Sequence, residues 1–495
     1  MSKRTAADDN GDVPMKGGDR PEPMDVDDKD MGEFEDEFED EFESEDEILE
    51  AGVDGRPDAE REAEERAAGT MDVDNGTFIV GRNTLEAGQH LAPDLGTYEM
   101  LHSLSTPWPC LSFDIVRDGL GDKRERIYPA TMYTVAGTQA ETGREKENQL
   151  MVMKFSGLSR TQRVEEDDSD SDDDAEDADP ILESKSIPLP STTNRIRAHQ
   201  IPSSDSSSPK TFTATMTESA QVLIHDITPH LESFDSPGTV ITPQQNKPLS
   251  TIRAHKSEGY ALDWSPLVPG GKLLTGDNDG LIYVTTRTDG GGWVTDTRAF
   301  QGHTSSVEEI QWSPQEASVF ASASSDGTVR VWDVRSKSRK PAISVTVSNT
   351  DVNVMSWSPL TTHLLATGDD NGAWGVWDLR QWKAGNDRPS PIASFNYHKE
   401  QITSIEWHPT DDSMVAVAAG DNKVTLWDLS VELDDEESKD TAGVQDMPPQ
   451  LLFEHIVEHA KEVHWHPQIP GTLVTTGAEF SVFRPIPVVY GVQTN

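Results

Sequence analysis

The sequence has 495 residues, a formal net charge of −48 and a hydrophobic fraction of 34%. That charge argues against nucleic acid or an anionic membrane as a direct ligand, and it favours a basic partner or a solvating acidic tail. The single cysteine, Cys110, excludes an internal disulfide and a multi-cysteine zinc site, and it fits the reducing cytosol or nucleus.

The N-terminal segment begins with polar residues and has no secretory apolar stretch, and no apolar run in the chain approaches the roughly 20 residues that span a bilayer. Residues 1–75 carry 29 acids and 8 bases, a balance of 8 − 29 = −21, which predicts a long disordered acidic tail. Phe34, Phe38 and Phe42 are spaced by four, so a helix would place them on one ridge among carboxylates. Two interpretations stay open: the phenylalanines fold onto a basic partner, or the spacing is accidental in a solvating tail.

Two further acidic tracts interrupt the rest of the chain. Residues 164–179 contain no base, and residues 432–440 follow the end of a Trp-Asp repeat. They predict acidic loop insertions at 160–185 and 430–450, and Ser169 and Ser171 suit an acid-directed kinase. Because all three tracts share one sign, they favour an attractive field for a basic polypeptide.

A repeat organises the chain from about residue 195 onward. Tryptophan followed by Ser-Pro or His-Pro recurs 45 to 58 residues apart, at Trp264, Trp312, Trp357, Trp407 and Trp465. A histidine precedes three of these tryptophans by nine positions, at His255, His303 and His398. Asp279, Asp326, Asn371 and Asp421 lie six residues before the Trp-Asp pair or its replacement. With short β-rich segments and Asp-Gly or Asn-Gly turns between them, these markers predict a WD40 β-propeller.

The predicted fold is all-β, a seven-bladed WD40 propeller with a preceding N-terminal helix. Residues 126–490 form the propeller, and residues 76–125 supply the helix and a strand that closes the ring. Leu111–Arg117 is the expected closing strand, because a borrowed strand removes the exposed sheet edges of an open array.

The regular spacing of His and Asp is explained by hydrogen-bond networks inside the blades rather than by chemistry. The sequence contains no Gly-rich phosphate loop, nucleophile elbow or HExxH motif. We therefore expect no enzyme activity, no catalytic residue, no cofactor and no metal site.

The segment Gly96–Val116 and the repeats after it resemble the histone-binding WD proteins of chromatin-assembly complexes. That resemblance implies a helix before the propeller and a negatively charged insertion loop, here Leu429–His455. The Glu/Phe-rich N-terminus and Trp465–Gly471 are similar to the glutamate-rich WD-repeat branch. The branch implies a dedicated chaperone of large-subunit ribosomal protein three, located in the nucleus and nucleolus with a cytoplasmic pool.

Two surfaces compete for the ligand. The family's positional rule for the channel mouth points to Glu258, Tyr260, Asn278, Glu308, Asp351, Asn353 and Asp370. An acidic mouth with an aromatic wall would accept Arg and Lys side chains; the alternative is an acidic rim without a ligand. The less favoured surface is a side groove between the N-terminal helix and the acidic loop, with Tyr98, Leu101, Asp434, Asp435, Glu436 and Glu437.

The main hypothesis is a chaperone that binds a newly made basic ribosomal protein and delivers it to nucleolar pre-60S assembly. A histone-binding factor of chromatin assembly is the first alternative, and a ubiquitin-ligase substrate adaptor is the second. Each of them implies protein partners, no direct nucleic acid, no membrane and a chain that is monomeric on its own.

Overall fold

The computed structural model describes residues 93–161, 179–202, 209–236, 238–383, 388–431 and 447–486. The predicted acidic tail with Phe34, Phe38 and Phe42 lies outside these ranges, as do Ser169, Ser171 and the loop residues 434–437. Within them the chain forms seven antiparallel sheets that are the blades of a β-propeller, which confirms the predicted fold class.

Each blade has its strands in sequence order from the channel outward. Blades 1 to 3 consist of β2 (Cys110–Val116), β3 (Ala130–Thr138), β4 (Gln149–Leu158) and β5 (Ile181–Pro188); β6 (Thr193–Ile201), β7 (Lys210–Thr217), β8 (Val222–Asp226) and β9 (Ser250–Ile252); and β10 (Ala261–Trp264), β11 (Lys272–Gly276), β12 (Leu281–Arg287) and β13 (Trp293–Thr295), with β14 (Phe300–Gln301) also on β12.

Blades 4 to 6 repeat this order. They consist of β15 (Val307–Trp312), β16 (Val319–Ser324), β17 (Thr328–Asp333) and β18 (Ile343–Thr346); β19 (Val352–Trp357), β20 (Leu364–Asp369), β21 (Trp374–Asp378) and β22 (Ala393–Phe395); and β23 (Ile402–Trp407), β24 (Met414–Ala419), β25 (Lys423–Asp428) and β26 (Leu451–Ile456).

Blade 7 is completed by the strand that comes first in the chain. It consists of β27 (Glu462–Trp465), β28 (Leu473–Thr476), β29 (Phe480–Pro485) and β1 (Tyr98–Leu104), and β1 pairs antiparallel with β29. A borrowed N-terminal strand is therefore confirmed, but its predicted identity is wrong, because Leu111–Arg117 overlaps β2 on the channel side of blade 1.

The expectation that Tyr98, Leu101 and Leu104 belong to the N-terminal helix is also wrong, because these residues form β1. The open edge of β29 supplies hydrogen-bond partners for this segment, and edge pairing overrides its local preference. A helix within residues 76–92 lies outside the described ranges.

Helical structure is short where the chain is described. It consists of one α-helix, Thr228–Glu232, and the 3-10 turns Leu95–Thr97, Glu145–Glu147 and Leu379–Gln381. None of the described helices is long and apolar enough to cross a membrane.

The repeated tryptophans join neighbouring blades at the channel side. The indole N–H of Trp264 donates to the Arg197 carbonyl at 3.0 Å, and that of Trp465 donates to the Glu406 carbonyl at 3.2 Å. Both rings are buried, so each tryptophan fills the space between two sheets and also satisfies a carbonyl of the preceding blade. The Trp-Ser-Pro and Trp-His-Pro periodicity therefore marks the seams between blades.

The blade networks inferred from the marker residues are present. In blade 4 the indole of Trp332 donates to Ser322 Oγ at 2.8 Å, which contacts His303 Nε2 at 2.7 Å, and His303 Nδ1 contacts Asp326 at 3.0 Å. Blade 3 differs from the expected spacing, because His255 pairs with Asp277 at 2.8 Å and not with Asp279.

Blade 5 shows the same two-residue shift, since Ser348 contacts Asp369 at 2.8 Å rather than Asn371. Asp369 also accepts backbone N–H groups from Asn371 and Ala373 at 3.0 Å each. The carboxylate therefore caps the tight turn and anchors the network at once, which explains why the earlier position in the turn is used.

Candidate functional site

The loops before the inner strands and the turns after the second strands meet at one end of the channel. In four consecutive blades a backbone N–H in the turn donates to a carbonyl in the loop at 2.9 to 3.1 Å: Asn278 to Glu258, Ser325 to Ser306, Asp370 to Asp351 and Gly420 to Gln401. This repeated bond brings the two predicted residue sets together. We call the resulting ring of Glu258, Tyr260, Asn278, Glu308, Asp351, Asn353 and Asp370 the mouth.

Neutral side chains hold three of the carboxylates of the mouth. Asn194 Nδ2 donates to Glu258 at 3.0 Å, Ser325 Oγ donates to Glu308 at 2.8 Å, and Asn353 Nδ2 donates to Asp370 at 3.3 Å. Such donors fix the direction of a carboxylate and leave its negative charge in place. The carboxylates are therefore positioned before any ligand arrives.

Ion pairing separates these acids from most acids deeper in the channel. Among the described residues, no basic side chain forms an ion pair with Glu258, Glu308, Asp351 or Asp370, whereas Glu309 and Glu462 are both paired with arginine. Glu258 and Glu308 are half-buried, and Asp351 and Asp370 are exposed. Blades 3 to 5 thus present an arc of unneutralised negative charge to solvent.

Tyr260 lies within this field. Burial is the largest cause that raises the pKa of its hydroxyl, and the charges of Glu258, Glu308 and Glu218 raise it further. The ring is half-buried at the mouth, so one face remains accessible. An aromatic face beside several carboxylates is a suitable environment for a guanidinium or ammonium group.

The opposite side of the ring is less acidic. The positional rule that selects the mouth places His459 and Lys461 before the inner strand of blade 7, where His459 is exposed and Lys461 is half-buried. Among the described residues the negative charge of the ring is therefore directional, and a bound basic segment would lie toward blades 3 to 5.

A buried ion-pair cluster lies beneath the mouth. The guanidinium of Arg195 donates through Nε to the Tyr260 carbonyl at 2.8 Å, contacts Glu462 at 2.5 Å, and lies 3.2 Å from Glu309. Glu309 and Glu462 are buried, and the Arg195 side chain is 11% exposed. Arg195 thereby already occupies the inner acidic site that an incoming basic side chain would otherwise use.

The cluster extends along the inner strands of blades 6 and 7. His464 Nδ1 lies 2.7 Å from Glu406 and its Nε2 lies 3.4 Å from Glu462. Burial alone would lower the pKa of His464, but the charges of Glu406 and Glu462 raise it to about 10. Glu462 is also buried, yet Arg197 and Arg195 hold the pKa of its carboxyl well below the usual value. Both partners are therefore ionised at neutral pH.

The sequence reasoning did not identify this cluster. A readable signal exists, because the residue before the repeated tryptophan is polar or charged in blades 3, 4, 6 and 7: Asp263, Gln311, Glu406 and His464. In three of these blades the side chain accepts a backbone N–H from the next blade, as Asp263 does from Trp312 at 2.7 Å. Polar residues inside an inner strand thus mark inter-blade contacts along the channel.

The residues of the predicted side groove are placed differently. Tyr98 is buried, its hydroxyl lies 2.9 Å from His455 Nδ1, and its ring packs against Phe453. Leu101 is half-buried in the same apolar cluster. Both residues hold β1 against the last two blades, and the acidic loop expected to face them lies outside the described ranges. Over the described residues, no group of three or more His, Cys, Asp or Glu is arranged to hold a metal ion.

Comparisons with known proteins agree with this architecture. Residues 88–159 match the family of histone-binding protein RBBP4 and its counterpart in the CAF1 complex, and residues 295–333 and 389–428 match the WD domain, G-beta repeat. The first match covers β1, β2, β3 and most of β4, the segment that closes the ring and begins blade 1.

Full-length relatives extend the similarity over most of the chain. The chain is 49% identical to ribosome assembly protein rrb1 of Schizosaccharomyces pombe, over 81% of this chain and 83% of that protein. It is 39% identical to protein HEAT STRESS TOLERANT DWD 1 of Arabidopsis thaliana, over 86% and 94% of the two chains. It is 41% identical to glutamate-rich WD repeat-containing protein 1 of Dictyostelium discoideum, over 82% and 83%. The chain therefore belongs to the WD-repeat family that includes ribosome assembly protein rrb1 and glutamate-rich WD repeat-containing protein 1.

Proposed function

We propose that this protein is a ribosome assembly factor that binds a newly made basic ribosomal protein, large-subunit protein three, at the mouth. The similarity to ribosome assembly protein rrb1 supports the process. The observation that carries the binding mode is the arc of Glu258, Glu308, Asp351 and Asp370, for which the described residues supply no ion-pair partner. The propeller acts as a binding platform without chemistry of its own.

Recognition follows from charge and shape at the mouth. Arg and Lys side chains of the ribosomal protein donate charge-assisted hydrogen bonds to the arc, each contributing about 1.5–3 kcal/mol where water is excluded. One of these side chains lies over the Tyr260 ring. Because Arg195 fills the inner acidic site, the bound segment crosses the mouth and does not thread the channel.

The acidic tracts of the sequence act at longer range. Residues 1–75 alone contribute −21, and such a charge increases the rate of encounter with a basic protein. It also competes with RNA for the basic surface of the ribosomal protein until delivery. We propose delivery in the nucleolus, with a cytoplasmic pool that captures the newly made protein.

Affinity capture tests the identity of the partner. The tagged full chain is isolated from cell extract in parallel with the variant Glu258→Gln, Glu308→Gln, Asp351→Asn, and bound proteins are quantified by mass spectrometry. We expect large-subunit protein three with the parent chain and at least tenfold less with the variant. Equal recovery with both chains would contradict the mouth as the site, and absence of the ribosomal protein would contradict the function.

Histone binding is the second candidate, because residues 88–159 match the histone-binding family model. A factor of chromatin assembly would use the same preference for a basic polypeptide. The capture experiment separates the two functions: core histones without a ribosomal protein would favour this candidate, and a cullin assembly would indicate a ubiquitin-ligase adaptor instead.

A further inference from the structure

A basic cleft lies at the outer side of blades 3 and 4 and includes none of the mouth residues. One wall comes from the chain between β13 and β15, and the other comes from the β17–β18 loop. Its volume is about 310 Å³, and its polar lining includes Tyr283, Arg298, Gln301, Arg339 and Lys340. The cleft is therefore large enough for a few side chains of an extended peptide.

The charge of these segments is opposite to that of the protein. Residues 296–301 and 333–340 contain 5 bases and 2 acids, a balance of 5 − 2 = +3, in a chain of net charge −48. The acids are Asp296 and Asp333, and the latter forms an ion pair with Arg335 outside the cleft lining. The field inside the cleft is therefore set by Arg298, Arg339 and Lys340.

The cleft already binds one carboxylate of its own chain. Asp296 forms an ion pair with Arg339, accepts the backbone N–H of Arg298 at 3.0 Å, and lies 3.6 Å from the Arg298 guanidinium. Arg339 is held over the Phe300 ring at 4.3 Å, so this part of the wall is fixed. The geometry shows that carboxylate is a group that the cleft accommodates.

Donors remain after Asp296 is satisfied. The Arg298 side chain is 68% exposed and is held only loosely by Asp296, and Lys340 is exposed and pairs with no carboxylate of the described residues. The Gln301 amide and the Tyr283 hydroxyl add neutral donors on the same lining. A second carboxylate entering the cleft would meet two cations and would displace only water.

We propose that this cleft binds a short Asp/Glu-rich segment of a partner polypeptide. A peptide is favoured over RNA because the positive patch is small. The Debye length of about 8 Å at physiological salt lets a few carboxylates experience the local charge alone. A long polyphosphate would extend onto the surrounding acidic protein and be repelled. The site is independent of the mouth, so the two can be occupied by different partners.

The test is a fluorescence anisotropy titration of the full chain with fluorescein-labelled hexaglutamate at 50 mM and 150 mM salt. We expect saturable binding that weakens with salt and a loss of at least tenfold in affinity for Arg298→Ala combined with Lys340→Ala. The matched control is Arg335→Ala combined with Lys337→Ala, which removes the same number of exposed cations beside the cleft and is expected to change affinity less than threefold. Unchanged melting temperatures establish that each variant is folded.

Three outcomes overturn the proposal. They are the absence of saturable binding at 50 mM salt, an equal loss in the two double variants, and tighter binding of a labelled hexauridine RNA than of hexaglutamate. The last result would assign the cleft to nucleic acid.

Discussion

The guanidinium of Arg195 lies 2.5 Å from Glu462 Oε1 and joins the inner strand of blade 2 to that of blade 7. The two residues are 267 positions apart in the chain, and blade 1 lies between their blades in the ring. This contact ties together the first and last parts of the propeller directly below the mouth. The same arginine reaches Glu309 of blade 4, so one side chain links three inner strands.

Replacing Arg195 tests whether this link supports the fold. Arg195→Met leaves two buried carboxylates without their cation, and we expect the free energy of unfolding to fall by about 3–5 kcal/mol. Arg335→Met is the control, because Arg335 is 70% exposed and pairs only with Asp333, an arrangement that contributes at most about 1 kcal/mol. Chemical denaturation measures both variants. Equal shifts of the two midpoints would contradict the structural role of Arg195.

The charged channel predicts a pH dependence of stability. The pKa of His464 is raised from 6.5 to about 10 in the folded chain, so the folded state holds this proton more tightly than the unfolded state. Its stabilisation is complete below pH 6.5 and is lost as the pH rises to 10. Burial raises the pKa of Asp263 from 3.8 to about 8, and this group also makes stability fall with rising pH, between pH 4 and 8.

Unfolding in denaturant at pH 6.5, 8 and 9.5 measures this effect. We expect the midpoint of the parent chain to fall steadily over the series. In His464→Gln the fall from pH 8 to pH 9.5 is expected to be much smaller, because the titrating group has been removed. A variant with the same slope as the parent would show that His464 is not the group responsible.

The blade networks predict the effect of removing a hydroxyl. Ser322→Ala leaves the indole N–H of Trp332 and the Nε2 of His303 without their partner in a buried site. We expect a loss of about 1–3 kcal/mol for each unpaired group, moderated by local relaxation. Thermal unfolding of this variant is compared with Ser338→Ala, where the side chain is exposed. Indistinguishable melting temperatures would rule out a stabilising network.

Ring closure by β1 predicts different results for two N-terminal deletions. Removal of residues 1–75 leaves all strands intact, so we expect an unchanged melting temperature. Removal of residues 1–105 exposes the edge of β29 and the apolar surface under Tyr98, so we expect a lower melting temperature and aggregation. Size-exclusion chromatography and calorimetry measure both effects. A stable monomer without β1 would mean that the ring does not depend on this strand.

The blade count could be predicted from the sequence because it depends on local register. Trp332 and its partners lie within 30 residues of one another, and their spacing is legible in the chain. The positions of the mouth residues follow from the same register, and the repeated loop-to-turn hydrogen bond brings them together. Their role in binding stays a prediction.

The remaining features depend on contacts that no local pattern reports. Tyr98 and Leu101 lie in a strand because the edge of β29, almost 400 residues later, needs a partner. Arg195 was missed because its acids belong to distant blades. Asp277 takes the place expected for Asp279 because a carboxylate two residues earlier also accepts the backbone N–H groups of the turn.

Binding at the mouth is tested most directly by fluorescence anisotropy with labelled basic peptides that tile large-subunit ribosomal protein three. The full chain is compared with the isosteric triple variant Glu258→Gln, Glu308→Gln, Asp351→Asn. The matched control is Glu316→Gln, Asp411→Asn, Asp412→Asn, which removes the same charge from loops that follow the inner strands, at the opposite end from the mouth. The account predicts at least a tenfold loss of affinity, about 1.4 kcal/mol, for the mouth variant and less than a threefold loss for the control. Equal losses in both variants would contradict it, because only the total charge would then matter.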